Sequence, residues 1–151
     1  MKKTRSAEHE ITLEDISVPS FGYELIREEL LTNILGKDAP DILYWSGKHL
    51  ARTHLLQNLN EISAFFEEAG WGALTVKKEL KDELLFELTS PLIRNRILLK
   101  PDAHFKLEAG FLAQQIETQI GMISEAYEQI QKKAGIVEIT VRWDHKDIIQ
   151  K

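Results

Sequence analysis

The sequence predicts an α+β fold, because helical and strand patterns occupy different parts of one chain. Apolar residues recur at helical spacing between residues 20 and 70. They alternate with polar residues in two later segments, 71–90 and 135–144, which is typical of half-buried strands. Between these two segments, residues 105–121 return to the helical period.

Three helices are predicted before the first strand. Ser20 is a candidate cap for the first helix, which Gly36 ends. The second helix begins after Asp38, carries Pro40 in its first turn and is expected to run to about Gln57. The third helix follows Asn58, which forms a capping pattern with Glu61, and it closes at Gly70.

The segment "WGALTVKKELKDELLFELTS" predicts a hairpin that turns at Leu80–Asp82. Ser90 followed by Pro91 then favours one short helix over "PLIRNRI". The segment "FKLEAGFLAQQIETQIG" predicts an amphipathic helix that stops at Gly121 and carries an apolar stripe of Phe105, Ala109, Leu112, Ile116 and Ile120. The segment "GIVEITVRWD" predicts a final strand. The intervening "MISEAYEQIQKKA" has the composition of a helix but the position of a strand, so both assignments stay open at this point.

Composition narrows the classes of function. A chain of 151 residues is expected to form one domain, here residues 18–147, with tails at 1–17 and 148–151. Its net charge of -5 makes nucleic acid an unfavourable partner. The absence of cysteine excludes disulfides, thiolate metal sites and cysteine nucleophiles. Neither a signal peptide nor an apolar run of the ~20 residues that span a bilayer is found, so a cytoplasmic location is expected.

At "ILYWSGKHLAR", "FFEEAGWG" and "FKLEAGFLAQQIE" the chain resembles the YslB-like family of small uncharacterised cytoplasmic proteins of Gram-positive bacteria. The resemblance extends from Gly22–Glu28 to Val141–Asp144. More distantly, the order of elements is similar to vinyl reductase-type domains and to small subunits of transport-protein particles, whose small-residue-rich helix matches Leu107–Ile116.

The distant resemblance implies that "ISEAYEQIQ" is a strand paired with the last one. The expected architecture is therefore a layer of helices packed on one face of an antiparallel sheet made of two hairpins. Some of those relatives carry a cysteine cluster or a lipidated cysteine, and this chain has no cysteine. Metal binding and covalent acylation therefore do not carry over.

Two groups of residues are candidate sites. The first is a set of aromatic side chains that either line an apolar pocket between helices and sheet or simply fill the core: Trp45, Phe65, Phe66, Phe86, Phe105 and Phe111. The second is a buried charge clasp, in which Glu108 pairs with Arg52 or, failing that, with Lys48. The small residues Ser46, Gly47, Ala109 and Gly110 would let the two helices approach closely. The alternatives for the two cations are an exposed helix edge, along which their stems extend to water, and an anion site.

These observations favour a non-catalytic binding domain without a cofactor. A protein partner is expected first and a small apolar ligand second, and the apolar content of the first two helices predicts a homodimer formed through the helical layer. A haem- or small-molecule-binding sensor is one alternative, because Tyr44, Ser46 and Lys48 partly match a propionate-binding pattern. An enzyme with Glu108 as a buried acid is the other.

Overall fold

The computed structural model describes residues 12–13 and 16–149. The chain divides into two units by contacts, Met1–Gly36 and Lys37–Lys151. The predicted tails at 1–17 and 148–151 lie mostly outside the described residues, and the predicted single domain from 18 to 147 stays a prediction.

The described residues 16–36 of the first unit include a helix, α1, which is built from three consecutive pieces. Ser20–Glu24 is α-helical, Leu25–Leu30 is π-helical and Leu31–Leu35 is α-helical again. The helix ends at Gly36, whose φ of 70° is accessible mainly to glycine. The predicted cap is wrong, because Ser20 is already helical and Pro19 occupies the N-cap position without a side-chain hydrogen bond.

The second unit begins with two helices, α2 (Ala39–Thr53) and α3 (Leu59–Glu68). The capping pattern of α3 is confirmed: Asn58 Oδ1 accepts a hydrogen bond from the Glu61 amide at 2.9 Å, and Glu61 Oε1 accepts one from the Gln57 amide at 2.8 Å. Helix α2 ends four residues earlier than predicted, because His54 leaves helical geometry at φ -134° and ψ 64°.

The sheet has four strands: β1 (Ala73–Glu79), β2 (Glu83–Thr89), β3 (Met122–Gln131) and β4 (Ile136–Ile148). Their order is β1-β2-β4-β3, and every neighbouring pair is antiparallel. The two hairpins therefore meet where β2 pairs with β4. The predicted strand at residues 123–131 is confirmed, and the open assignment is settled against helix propensity.

The two faces of the sheet differ in chemistry. One face is buried and apolar, with Leu84, Phe86, Leu88, Val137, Ile139 and Val141 at its centre. On the opposite face, the Lys77 ammonium lies 3.4 Å from the Glu87 carboxylate and 3.3 Å from that of Glu138, and Arg142 lies 3.1 Å from Glu83. An antiparallel sheet with one packed and one solvated face is the expected arrangement for an α+β fold.

Two more helices complete the second unit, α4 (Pro91–Leu99) and α5 (Lys106–Ile120). Ser90 caps α4 as predicted, since its Oγ accepts a hydrogen bond from the Ile93 amide at 3.0 Å. The amphipathic character predicted for α5 is wrong: nine consecutive residues, 108–116, are buried. Helix α5 contacts β3 and β4 on one side and α2 on the other, so it is covered all round.

Candidate functional site

Helices α2 and α5 touch through their backbones. A Cβ atom added at Gly47 would lie 2.8 Å from the Phe111 nitrogen, and one added at Gly110 would lie 2.8 Å from the Tyr44 carbonyl carbon. Ordinary van der Waals contact begins at about 3.4 Å. The predicted close approach of "YWSGK" and "LEAGF" is therefore confirmed, and each helix contributes one glycine that no larger residue can replace without movement.

The residues of the predicted charge clasp occupy different environments. Glu108 is completely buried in the first turn of α5. On α2, Lys48 is buried with 8% of its surface exposed, whereas Arg52 is exposed. The clasp stays a prediction, which measurements of stability on variants of Glu108 can test.

Arg96 on α4 is a buried cation that the sequence did not single out. Only 3% of its surface is exposed, and its guanidinium carbon lies 5.3 Å from the centre of the Phe105 ring. Phe105 is the N-cap residue of α5, so this cation lies at the same end of the helix as Glu108. The motif "PLIRNRI" carries two arginines, and nothing in its pattern shows which one turns inward.

The Lys48 ammonium lies over two aromatic rings of its own helix. It is 5.6 Å from the centre of the Tyr44 ring and 5.4 Å from that of Trp45. Cations are attracted to the faces of aromatic rings, most strongly to tryptophan. Because Trp45 is 63% exposed, the second ring also forms part of the surface.

Tyr44 connects α2 with the outer strand of the sheet. Its hydroxyl oxygen accepts a hydrogen bond from the Ala126 amide of β3 at 3.0 Å. The next amide on the same edge, that of Ser124, donates to Glu117 of α5 at 3.1 Å. Burial raises the pKa of the Tyr44 phenol, because the charged form would lose its hydration. Side chains from both helices thus occupy the free edge of β3, which prevents another strand from pairing there.

Gln115 explains where α2 stops. This side chain is fully buried, and its Nε2 donates to the His54 carbonyl at 2.7 Å, while its Oε1 accepts from the Leu56 amide at 3.2 Å. These bonds satisfy backbone groups that a continuing helix would have satisfied itself. The signal available in the sequence was a pair of glutamines, Gln114 and Gln115, in an otherwise apolar helix.

The six aromatic candidates do not form one group. Phe65 and Phe66 each pack on Phe111 and on Trp71, with ring centres 4.7 to 5.9 Å apart. Phe86 and Phe105 are buried, whereas Trp45 is on the surface and does not line an interior space.

Two surface pockets lie elsewhere in the described part of the chain. One, of about 460 Å³, lies between the start of α4 and Gly135 and includes Arg94 and Leu98. The other, of about 580 Å³, lies at one end of the sheet and includes Asp82, Glu125 and Trp143. None of the six aromatic candidates lines either pocket, so the predicted apolar pocket stays a prediction.

Helix α1 presents a large amount of apolar surface. Phe21 is 71% exposed, Ile26 58%, Leu30 50% and Ile34 65%, and Leu25 is exposed as well. No residue of the helix is buried in any of its three pieces. Within residues 12–13 and 16–149, no helix is long and apolar enough to cross a membrane. The same residues contain no group of three or more His, Asp or Glu side chains placed to hold a metal ion.

Comparisons with known proteins agree with the fold. The chain is similar to a solved vinyl-4-reductase family protein of Methanocaldococcus jannaschii, with a TM-score of 0.60 and 15% identity over 85% of this chain and 83% of that one. A trafficking protein particle complex subunit 3 of Naegleria fowleri, covalently bound to palmitic acid, gives a TM-score of 0.43 and 12% identity over 87% of this chain and 92% of that one. The likeness to the vinyl-4-reductase family protein extends to the fold alone.

Sequence comparison identifies the family and confirms the predicted resemblance. The uncharacterized protein YslB of Bacillus subtilis (strain 168) is 49% identical over 135 residues, which cover 89% of this chain and 91% of that protein. The profile of a family of proteins of unknown function, DUF2507, matches residues 20–142. The chain therefore belongs to the DUF2507 family.

Proposed function

We propose that this protein is a non-catalytic interaction module that pairs with a second copy of itself through the apolar face of α1. The observation that carries this proposal is the exposure of Phe21, Ile26, Leu30 and Ile34 on a helix with no buried residue. A helix of a folded protein normally buries an apolar stripe against a partner. An exposed apolar row of this size is typical of an interaction surface.

The π-helical segment of α1 supports a single continuous surface. A π-helical turn takes up one more residue than an α-helical turn, so it rotates the residues that follow it backward around the axis. In α1 this segment is Leu25–Leu30. The rotation brings Leu30 and Ile34 closer to the line of Phe21 and Leu25 than a regular α-helix would. One partner surface can then cover the whole row.

A second copy is the favoured partner because a two-fold interface needs only one surface. The apolar row of one helix faces the same row of the other, and most soluble homo-oligomers use this symmetry. The non-catalytic part of the proposal is supported by Glu108, which is completely buried and therefore cannot reach a substrate as a proton donor without local opening.

The test is the molar mass of the protein in solution, measured by light scattering at micromolar concentration. We expect twice the monomer mass of 17.4 kDa. Leu30→Glu removes apolar contact from both copies, which costs about 2 kcal/mol of binding free energy in each. The dissociation constant of the dimer should then rise on the order of a thousandfold. This variant should be monomeric.

Leu98→Glu is the matched control, since Leu98 is 79% exposed on α4 and outside the proposed interface. It should remain dimeric. A monomeric parent protein, or a Leu98→Glu variant that dissociates as readily as Leu30→Glu, would show that the α1 face is not the site of pairing.

A further inference from the structure

Lys48 has a largely buried stem and an ammonium that lies beside two aromatic rings. More than nine-tenths of the residue is buried, yet its ammonium contacts two aromatic rings rather than a carboxylate. No ion pair or hydrogen bond to this ammonium is found among the residues that the structure describes. Attraction to aromatic rings offsets only part of the hydration that a cation loses when it is partly buried, so an anion beside this ammonium would be bound favourably.

The same surface of α2 concentrates further positive charge. Arg52 lies one helical turn after Lys48 and is exposed. On α2 itself, the acid nearest in sequence is Asp41, about two turns before Lys48, and Glu117 and Glu125 of the neighbouring elements lie close enough to affect the Tyr44 phenol. On a chain with a net charge of -5, this is a local patch of opposite sign, which attracts anions from solution.

Trp45 adds a flat apolar platform beside the charge. Its ring is 63% exposed, and its centre lies 5.4 Å from the Lys48 ammonium. Large aromatic side chains with this exposure bind other rings by offset or edge-to-face stacking. An arginine one turn away offers a planar fork that matches the two oxygens of a carboxylate.

We propose that Trp45, Lys48 and Arg52 form a binding site for a small aromatic carboxylate. The ring of the ligand stacks on the Trp45 indole, and its carboxylate lies between the Lys48 ammonium and the Arg52 guanidinium. The ligand thereby provides the counter-charge that Lys48 lacks. This site is independent of the proposed pairing through α1, because all of its residues belong to α2.

The first experiment is a nuclear magnetic resonance titration with 2-naphthoate. The chain has three tryptophans, so the indole N–H signal of Trp45 is assigned by its loss in Trp45→Phe. We expect a saturable shift of this signal with 2-naphthoate and weaker binding of acetate, which has the charge without the ring. 2-Naphthylmethanol, which has the ring without the charge, should not saturate. Equal affinity for the alcohol, or no saturation by ~10 mM naphthoate, would overturn the proposal.

Variants separate this site from general adhesion to the surface. Lys48→Met keeps the length of the stem and should weaken naphthoate binding at least about tenfold, and Arg52→Gln should weaken it several-fold. Lys78→Met is the matched control, since Lys78 is an exposed lysine on β1. It should leave the affinity unchanged. Unaltered binding by Lys48→Met, or an equal loss in Lys78→Met, would contradict the assignment.

The melting temperature of Lys48→Met tests the missing counter-charge without any ligand. If the protein does not pair the ammonium, methionine should leave the melting temperature unchanged or raise it, because an apolar side chain suits the buried position better. A fall of more than a few degrees, or failure to fold, would mean that the ammonium has a structural partner such as Glu108. That result would overturn the site.

Discussion

Replacing Gly110 with alanine tests whether α2 and α5 are held together by direct backbone contact. The added methyl group would lie 2.8 Å from the Tyr44 carbonyl carbon and nearer still to its oxygen, whereas ordinary contact begins at about 3.4 Å. The helices would have to separate by at least the difference, about 0.6 Å. The neighbouring atoms are backbone and cannot rotate away, so the strain should reach the upper end of the ~1–3 kcal/mol typical of overpacked cores.

A gain in helix propensity opposes this strain. Alanine is favoured over glycine inside a helix by ~1 kcal/mol, which leaves a net loss of about 2 kcal/mol for Gly110→Ala. For a chain of this size, that loss corresponds to a fall of ~4–8 °C in the melting temperature. The methyl group of Gly47→Ala would lie 2.8 Å from the Phe111 nitrogen at the same contact between α2 and α5, so this variant should lose a similar amount of stability.

The measurement is urea unfolding together with thermal melting, followed by circular dichroism. Gly22→Ala is the matched control, because Gly22 is also helical and nothing lies within 4 Å of its added methyl group. It should be neutral or slightly stabilising. If Gly110→Ala is as stable as the parent protein, α2 and α5 are not in direct backbone contact at Gly110.

Two further predictions concern buried ionisable groups. Burial raises the pKa of Tyr44 above its ordinary value of 10.0, so the stability that its neutral phenol contributes should be fully present below pH 10 and lost as the pH rises through the raised pKa. In urea unfolding between pH 8 and 11, the free energy of unfolding should fall more steeply with pH in the parent protein than in Tyr44→Phe. Parallel curves for the two proteins would contradict this prediction. The clasp is the alternative to a carboxylate site at Lys48, and it predicts that Glu108→Gln costs ~3–5 kcal/mol by stranding a cation, whereas Glu83→Gln, at a solvent-exposed ion pair, costs under ~1 kcal/mol. Double-mutant cycles with Arg52→Gln and Lys48→Met identify the partner, and the clasp is refuted if neither couples to Glu108.

Local signals predicted most of the fold. The caps at Asn58 and Ser90 act through one side-chain oxygen and the amide three residues later, so they can be recognised without knowing the rest of the structure. The glycine stop at Gly121 is equally local, since its φ of 76° is rarely adopted by other residues. The strand at 123–131 was predicted only through the resemblance, because its Glu, Ala and Gln residues favour a helix and only pairing with β4 makes it a strand.

The candidate site was harder to predict from the sequence, because its features depend on contacts between residues that are distant in sequence. The end of α2 is determined by Gln115, a residue 61 positions after His54. The burial of α5 on all sides was hidden by Glu108 and Gln114, polar residues that read as a solvated face although both are buried. Composition could not decide whether Phe65 and its aromatic neighbours line a pocket or fill a core, because both arrangements need the same residues.

Tyr44 takes part in two contacts at once. Its backbone lies in the contact between α2 and α5, and its side chain lies at the free edge of β3. Its carbonyl lies against Gly110, while its hydroxyl oxygen accepts a hydrogen bond from the Ala126 amide of β3 at 3.0 Å. The distance between α2 and α5 therefore also fixes the reach of the phenol to the outer strand. If a larger residue at position 110 pushes α2 outward, it lengthens that hydrogen bond and uncovers an amide on the free edge. Residues that share a contact in this way are energetically coupled, so the effects of Gly110→Ala and Tyr44→Phe should sum to more than the loss in the double variant.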